Sequence, residues 1–183
     1  MTFEFVDEST FTRFFNAHKE TIYQDDFAFS LKDILSPEEK EKRSQNAGKL
    51  KDMERYHLFA KKDGEVIGWS FGIQKGADDF FMRNSAVFPA HRRSGVYSAM
   101  LERSVQYLSD RGFQRIYSLH KMANNPILIA KLKFGFVLTG FRISDRNGCM
   151  AELTYFTNEK RKALYEVRVG SRKLDGEMSQ YLV

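Results

Sequence analysis

The clearest candidate for chemistry in this chain is the basic turn Arg92-Arg93-Ser94-Gly95, which follows a strand pattern ending at Pro89 and precedes a helical one. The first amides of a helix have no partners within the helix and carry the positive end of its dipole, so they can bind an anion. Gly95 would let a phosphate oxygen approach the backbone, and the two guanidinium groups could add charge-assisted hydrogen bonds. The turn therefore predicts a phosphate or diphosphate site.

A plainer interpretation of the same residues stays open. Arg92 and Arg93 could be solvated loop charges, and Gly95 could simply ease a tight turn. The stretch lacks the glycine-lysine-serine/threonine signature of a P-loop and the second and third glycines of a dinucleotide fingerprint. By itself, the turn does not decide between an anion site and a structural turn.

Composition fits a folded protein with an anionic partner. The 183 residues are 42% apolar and 14% aromatic, which is enough for a sizeable core. The net charge of +5 favours a nucleic acid, a membrane surface or a phosphorylated cofactor, without choosing among them. No apolar run is long enough to span a membrane and the acidic start does not match a signal peptide, so we expect a soluble, cytoplasmic protein. Cys149, the only cysteine, excludes an internal disulfide and a cysteine-based zinc site; we expect it to be buried, and we expect no metal.

Hydrophobic periodicity predicts the elements that must position the turn. In chain order they are a strand TFEFV, a Phe-rich helix, a polar helix from Ser36, strands RYHLFAK, EVIGWSFGI and FFMRNSAVF, a helix whose first turn holds Ser94 to Val96, a strand FQRIYSLH, a helix from Asn124, strands FVLTGFRI and CMAELTYF, and a terminal helix NEKRKALYEV. The helix after the turn crosses over between two strands, which makes that pair parallel. The order predicts one α/β domain over residues 1–183, with its core motifs in 55–156 and a C-terminal helix and tail in 157–183.

The turn and its surroundings resemble the GNAT superfamily of acyl-CoA-dependent N-acyltransferases. The signature of that family is Gln or Arg, two residues, Gly, one residue, then Gly or Ala, after a strand that ends in Val-x-Pro. Arg92, Gly95 and Val87-Phe88-Pro89 match this pattern. Tyr97 departs from it, because it stands where Gly or Ala is usual, and that puts the packing of the pyrophosphate in question.

A second motif strengthens the resemblance. The family has an asparagine at a helix start, eleven residues before a Gly-Phe pair, and Asn124 with Gly135-Phe136 satisfies that spacing. The resemblance covers about residues 55–156 and is strongest over 84–141. It implies a mixed, mostly antiparallel sheet with helices on both faces, and a parallel strand pair that splays apart around the pantetheine of acetyl-CoA, with no metal.

The resemblance also implies which residues would bind acetyl-CoA. Backbone groups near Val87 and Phe88 would pair with the pantetheine, and one of these amides could polarise the thioester carbonyl. The remaining cofactor-binding positions that it implies are Arg92, Arg93, Ser94, Gly95, Val96 and Tyr97 for the pyrophosphate, and Asn124 for the pantetheine.

Two side chains are candidates for acid–base catalysis of acetyl transfer to an amine. Lys131 stands where relatives often have a tyrosine acid, four residues before the glycine of the Gly-Phe pair; it could protonate the leaving thiolate or be only a cation at a helix C-terminus. His120 ends the strand that faces the gap, and it could be the base or a structural histidine. Many relatives carry a glutamate in the stretch that here reads Arg83, Asn84 and Ser85.

Rival functions and the acceptor stay open at this point. The chain could be a non-catalytic acyl-CoA-binding module, since fold does not fix function. Nucleic-acid binding through Arg92, Arg93, Arg142 and Arg146 is disfavoured, because these charges are dispersed and no recognition motif is present. The acceptor would be a small-molecule or protein amine, bound near Tyr23, Asp25, Asp26 and Phe27 by the resemblance. A homodimer through the C-terminal strands is possible.

Overall fold

The computed structural model describes residues 1–23, 31–145 and 147–181. In this part of the chain the elements are β1 (Thr2–Phe5), α1 (Glu8–Ile22), α2 (Leu31–Ile34), α3 (Pro37–Gly48), β2 (Arg55–Lys62), β3 (Glu65–Gln74), β4 (Asp79–Val87), a 3-10 turn (Pro89–His91), α4 (Val96–Ser109), β5 (Arg115–Lys121), α5 (Asn125–Phe134), β6 (Val137–Ser144), β7 (Gly148–Phe156), α6 (Glu159–Arg168) and α7 (Gly176–Ser179). Both the order and the types of the predicted elements are confirmed.

The strands form one mixed sheet in the order β1-β2-β3-β4-β5-β7-β6. Only β4 and β5 run parallel to each other; every other described pair is antiparallel. The predicted mostly antiparallel sheet with one parallel pair is therefore confirmed. The parallel pair follows from the α4 crossover, since a chain that leaves one end of the sheet and returns along a helix re-enters in the same direction.

Local sequence explains where the helices begin and end. Asp7 caps α1 by accepting a hydrogen bond from the Thr10 amide at 2.9 Å. Ser36 and Glu39 cap α3 reciprocally as a capping box. Gly135 ends α5 with a φ of +112°, a left-handed conformation that favours glycine. These three helix boundaries are set by residues within one turn of the helix end.

The two faces of the sheet carry separate apolar cores. On one face, α4 packs with the strands in a cluster that includes Tyr56, Leu58, Phe80, Met82, Val87, Met100, Leu101, Leu108, Ile116, Phe136 and Leu153; we call it the α4-side core. On the other face, α1 packs in a smaller aromatic cluster of Phe11, Phe59, Trp69 and Ala86 with Phe14, Phe15 and Phe88 against it; we call it the α1-side core. The sheet thus separates an α4 side from an α1 side along its whole centre.

A β-bulge in β4 changes which side chains face each core. Gly72 pairs with Met82 and Phe71 pairs with Asn84, so Arg83 is the extra residue of the bulge. Met82 and Val87 consequently lie in the same core although they are five positions apart, a spacing that puts residues of a regular strand on opposite faces. The bulge turns Asn84 toward the α1 side at the level where β4 leaves its parallel neighbour.

Candidate functional site

The parallel strands β4 and β5 pair along only part of their length. Their register contains three pairs, Asp79 with Arg115, Phe80 with Ile116 and Phe81 with Tyr117. Beyond these pairs β4 continues to Val87 and β5 continues to Lys121, but the two strands no longer pair with each other. We call the space between residues 82–87 and 118–121 the wedge. It opens toward the carboxyl ends of both strands, which is where ligands bind in sheets with parallel strands.

The backbone at the end of β4 offers its polar groups to the wedge. The Phe88 amide donates to the Ile67 carbonyl on β3 at 3.0 Å. Because alternate residues of an antiparallel strand point their polar groups to opposite edges, those of Val87 point away from β3, into the wedge. The side chain of Arg92 already reaches the Val87 carbonyl, with its Nε donating at 3.1 Å. Of the two predicted positions, the Phe88 amide is therefore bonded within the sheet, and Val87 is the one whose polar groups face the wedge.

The basic turn folds into an open concavity at the start of α4. Arg93 has a φ of +59° and Gly95 a φ of +82°, both left-handed. Successive amides in such alternating conformations form nests that bind anions. Ser94 steadies the turn by donating from its hydroxyl to the His91 carbonyl at 2.6 Å. Apart from Gly95 and its two chain neighbours, no described residue has an atom within 4 Å of the position that a Gly95 Cβ would occupy, so the concavity is open there.

Helix α4 begins two residues later than the sequence pattern predicts, at Val96 instead of Ser94. Gly95 is the N-cap and α4 starts at Val96, because the left-handed conformation of Gly95 cannot continue an α-helix. The first hydrogen bond of the helix runs from the Ala99 amide to the Gly95 carbonyl at 3.0 Å. The amides of Val96, Tyr97 and Ser98 thus precede the first helical bond and are the orphan donors of this terminus.

The side chain of Tyr97 lies away from the concavity. Its ring packs against the α4-side core, and burial raises the pKa of its hydroxyl. The amide of Tyr97 remains in the first turn of α4, among the orphan donors. The departure from a small residue at this position is therefore accommodated by the core and does not fill the turn.

At the apex of the wedge three polar side chains form a line. The Lys131 ammonium donates to Ser118 Oγ at 2.6 Å, and Ser118 Oγ lies 2.8 Å from His120 Nε2. Lys131 Nζ also lies 3.6 Å from Met82 Sδ and 4.1 Å from the centre of the Phe136 ring. Since Met82 and Ser118 are the first positions after the last β4–β5 pair, the Lys131 nitrogen sits where the two strands begin to diverge.

Lys131 lies in the last turn of α5, where one of its two sequence interpretations puts it. It is buried rather than solvated, since only 1% of the residue is exposed. Burial lowers its pKa to about 7. Burial and then the charge of Lys131 lower the pKa of His120 to about 3. At neutral pH His120 is therefore uncharged, while Lys131 is close to the midpoint of its titration.

Asn124 lies at the open end of the wedge, where β5 leads into α5. It occupies the N-cap of α5, yet its side chain makes no capping hydrogen bond, and it is exposed. Its backbone is fixed, because its amide donates to the Lys121 carbonyl at 2.9 Å and its carbonyl accepts from the Leu128 amide at 3.1 Å. The side-chain amide is thus presented at the same end of the sheet as the basic turn.

On the α1 side of the wedge, Asn84 is held by two donors. Tyr23 donates to Asn84 Oδ1 at 2.6 Å and the Trp69 indole donates to the same oxygen at 3.0 Å. Because both bonds go to Oδ1, they fix the orientation of the Asn84 amide, and its nitrogen points away from Tyr23 and Trp69. Tyr23 thus contacts β4 beside the wedge, while Asp25, Asp26 and Phe27 lie outside the described residues.

The described part of the chain also places Cys149 and the remaining arginines. Cys149 is exposed rather than buried, because it lies near the β6–β7 turn, opposite Ile143. In the described residues no group of three or more His, Cys, Asp or Glu could hold a metal ion, and no helix is long and apolar enough to cross a membrane. Arg142 pairs with Glu152 at 3.5 Å, and Arg146 lies outside the described residues.

Ser118 was not predicted as a site residue. A serine in the middle of a strand carries no motif, and only its position between Lys131 and His120 shows that it belongs to the site. The alternation of Ile116, Ser118 and His120 in the sequence does place a hydroxyl on the same face as the histidine. That pattern is the one signal that was available.

Comparisons with known proteins agree with this geometry. The family model described as the acetyltransferase (GNAT) family matches residues 18–136. The ribosomal-protein-S18-alanine N-acetyltransferase from Escherichia coli has 15% identity and a TM-score of 0.59, with 85% of this chain and 92% of that chain covered. A chimera of the spermidine N-acetyltransferase SpeG from Vibrio cholerae with hSSAT has 14% identity and a TM-score of 0.61, with 87% and 98% covered. A GNAT family acetyltransferase from Elizabethkingia anophelis, solved with acetyl-CoA bound, has 16% identity and a TM-score of 0.54, with 73% and 94% covered. No curated protein sequence matches the chain.

Proposed function

Because the chain belongs to the acetyltransferase (GNAT) family and is thereby an acyltransferase, we propose that it transfers an acetyl group from acetyl-CoA to a primary amine by direct attack. The observation that carries this proposal is the wedge, which has an anion-binding turn at its open end and buried acid–base groups at its apex. A thioester with a diphosphate at its far end matches that distribution of groups.

The turn at Arg92–Gly95 is proposed to hold the pyrophosphate. Orphan amides at the start of α4, the open space at Gly95 and the charges of Arg92 and Arg93 supply what a diphosphate needs. The Val87 amide would pair with the pantetheine or polarise the thioester carbonyl, in the manner of an oxyanion hole. The Asn124 side chain, at the N-cap of α5, would bind the pantetheine from the β5 side of the wedge.

Acid–base chemistry is proposed to come from His120 and Lys131. Acetyl transfer requires that a proton leave the attacking amine and that a proton reach the departing thiolate. Neutral His120 can accept a proton, and Lys131, with a pKa of about 7, can be present in either form near neutral pH. The pair therefore holds both functions without the tyrosine and glutamate that many relatives have.

Binding of acetyl-CoA is tested by calorimetry on the wild-type protein and on Gly95→Glu. A carboxylate at Gly95 would project into the concavity and repel the diphosphate, and glutamate is strained at a φ of +82°. We expect saturable binding by the wild type and a loss of affinity of at least about a hundredfold in the variant, given that tenfold corresponds to 1.4 kcal/mol.

Gly112→Glu is the matched control for that experiment. Gly112 lies just beyond the other end of α4 with a φ of +83°, and it too has open space around it. The control therefore introduces the same charge and the same backbone strain away from the turn. Absence of binding by the wild type, or equal affinity in the wild type and Gly95→Glu, would exclude the proposed cofactor site.

The acceptor is proposed to be a small-molecule or protein amine that approaches from the α1 side, next to Tyr23 and Asn84. A screen of purified protein with labelled acetyl-CoA against metabolite and peptide mixtures would identify it. If acetyl-CoA binds and no amine is acetylated, the chain is a non-catalytic acyl-CoA-binding module, the alternative that the missing tyrosine and glutamate favour. The single free thiol suits a reducing cytoplasm, which we propose as the location.

Two predictions about partners remain proposals. No nucleic acid is proposed as a ligand, because the arginines considered for it are dispersed between the turn and β6. A homodimer is proposed through the C-terminal strands, where β6 is an edge strand with the exposed apolar side chains Leu138, Phe141 and Ile143.

A further inference from the structure

Ser118 is the one group that joins Lys131 to His120. Its hydroxyl is 2% exposed and bonds to both neighbours, at 2.6 Å to Lys131 Nζ and 2.8 Å to His120 Nε2. A hydroxyl can donate one hydrogen bond while it accepts others, so it can pass a proton in either direction. Lys131 itself is nearly inaccessible, whereas His120 is half-buried and reaches further along β5.

The surroundings of Lys131 leave Ser118 as its route for proton exchange within the described residues. From β4 it faces the Met82 sulfur, from β5 it faces Ser118 and, beyond it, His120, and from the connection between α5 and β6 it faces the Phe136 ring. No salt bridge to Lys131 occurs among the described side chains, and burial is the cause of its lowered pKa. Among the described residues, His120 is thus the titratable group that Ser118 connects to Lys131.

The hydrogen bonds that run from Lys131 through Ser118 to His120 can carry their hydrogens in two arrangements. With Lys131 charged, the ammonium donates to Ser118, the Ser118 hydroxyl donates to His120 Nε2, and the imidazole proton is on Nδ1. With Lys131 neutral, its nitrogen can accept from Ser118, which accepts from His120 Nε2–H, and Nδ1 is then a bare acceptor. The protonation of Lys131 therefore sets which nitrogen of His120 carries the proton.

We propose that Ser118 relays protons between His120 and Lys131, so that Lys131 stores the proton of the acceptor amine while His120 alone touches the reacting atoms. This inference rests on the proposed function for its substrate. Ser118 is then a positioning residue, since it acts on the reaction through His120. The relay itself can be measured without any substrate.

The proposed step is balanced in atoms and charge. The amine nitrogen bonds to the thioester carbonyl carbon, and the bond from that carbon to sulfur breaks. The amine proton goes to His120 Nδ1, the Nε2 proton goes to Ser118 Oγ, and the Ser118 proton goes to Lys131 Nζ. The same transfers in reverse then deliver a proton from His120 Nδ1 to the thiolate. Every residue regains its starting form, and the products are the amide and the free thiol.

The relay explains why both groups are needed. His120 with a pKa of about 3 is a weak base when it acts alone. When the proton passes on to Lys131, it is held by a group whose pKa is about 7. The amine therefore meets His120, but the proton is bound as strongly as the lysine binds it. A buried lysine that touches no substrate thereby contributes to the reaction.

The first test follows the tautomer of His120 by nitrogen-15 NMR between pH 6 and 8.5. The chain has four histidines, so His120→Gln identifies the signals. We expect the proton to move from Nδ1 to Nε2 in the wild type with a midpoint near the pKa of Lys131. In Ser118→Ala this movement should be lost. An invariant tautomer in the wild type, or the same movement in Ser118→Ala, would overturn the relay.

The second test compares two buried serines. Ser104 is 0% exposed and lies on α4, where its hydroxyl is close to Tyr56, so Ser104→Ala removes a buried hydroxyl without touching the wedge. With the identified amine, Ser118→Ala should lower kcat by about tenfold or more and leave KM for acetyl-CoA within about twofold, given that acid–base catalysis contributes 10²–10⁴-fold. Ser104→Ala should retain kcat, and Ser118→Thr, which restores a hydroxyl, should regain most of it.

The outcomes of these tests separate the relay from the proposed function. Equal losses of kcat in Ser118→Ala and Ser104→Ala would show that the hydroxyl matters only for packing. If Ser118→Thr does not fold, Ser118→Cys supplies a donor of nearly the same size as serine. A coupled tautomer change in a protein that acetylates no amine would retain the relay and reject the enzymatic proposal.

Discussion

The two ends of the wedge differ in solvent exposure and in the groups that they offer to a ligand. The turn at its open end is exposed and works chiefly through backbone amides, fixed by the left-handed conformations of Arg93 and Gly95. The line from Lys131 to His120 at its apex is buried and works through side chains alone. A site of the first kind tolerates changes of side chain as long as the backbone keeps its shape. A site of the second kind depends on each side chain, and it carries the cost of burying a titratable group.

The largest effect on kcat is expected at the buried end of the wedge, in Lys131→Met. The variant removes the buried charge and keeps a side chain of similar length, so we expect kcat to fall by about a hundredfold or more. The free energy of unfolding near pH 7 should nevertheless rise by about 1–4 kcal/mol, as when buried charges are replaced by apolar groups. Ser118 keeps its bond to His120, so no buried hydroxyl is left without a partner. Steady-state kinetics and denaturant unfolding measure the two quantities.

The pH dependence of stability separates the buried lysine from other effects. The folded pKa of Lys131 is about 7 and the unfolded value is the ordinary 10.5, so between these values the unfolded chain binds more protons. Wild-type stability should therefore gain a contribution as pH rises from about 7 toward 10.5, and Lys131→Met should lack it. Lys133→Met, which removes an exposed lysine of the same helix, is the control and should keep the wild-type pH dependence. An identical pH dependence in wild type and Lys131→Met would contradict the burial of this charge.

At the open end, Arg93→Gly should have smaller effects, with a slight gain in stability and a modest loss of affinity for acetyl-CoA. Glycine adopts a φ of +59° without strain, so relief of about 1–2 kcal/mol is partly offset by the greater freedom of glycine in the unfolded chain, of about 0.5–1 kcal/mol. Binding of acetyl-CoA should weaken only severalfold, because one exposed guanidinium is lost while the amides stay in place. Calorimetry at low and high salt checks this, and a loss as large as that expected for Gly95→Glu would show that the side chain dominates the turn.

Tyr97→Phe should have the smallest effect. The Tyr97 ring packs against the α4-side core, and its amide rather than its hydroxyl belongs to the first turn of α4. Affinity for acetyl-CoA should therefore stay within about twofold of the wild type. A change of tenfold would place the hydroxyl in the site and would restore the question that this departure from the family signature raises.

The sequence predicted most of the fold and half of the site. Periodicity of two and of 3.6 residues, together with caps such as Ser36-Glu39 and Gly135, gave the elements and their order. The turn at Arg92–Gly95 was equally accessible, since its conformation depends on residues next to one another. The start of α4 was placed too early, because the left-handed backbone of Gly95 is a conformational choice that its residue type permits but does not impose.

The remaining errors concern burial. Cys149 was expected to be buried and is exposed, while Lys131, a residue type that is usually solvated, is buried. Whether a residue is buried depends on what packs over it, and the partners of Lys131 lie 49 and 13 positions away in the chain. The bulge at Arg83 likewise depends on the pairing of β4 with β3, which no local pattern records.

By itself, the sequence determined the family, the order of the elements and the basic turn, because each is written in contiguous residues with a fixed spacing. Only the tertiary structure decided that β4 and β5 separate after three pairs and that Lys131, Ser118 and His120 meet at the point of separation. The physical reason is that a lowered pKa and a line of hydrogen bonds come from desolvation and distance, and both exist only once α5 has packed its lysine between the two strands.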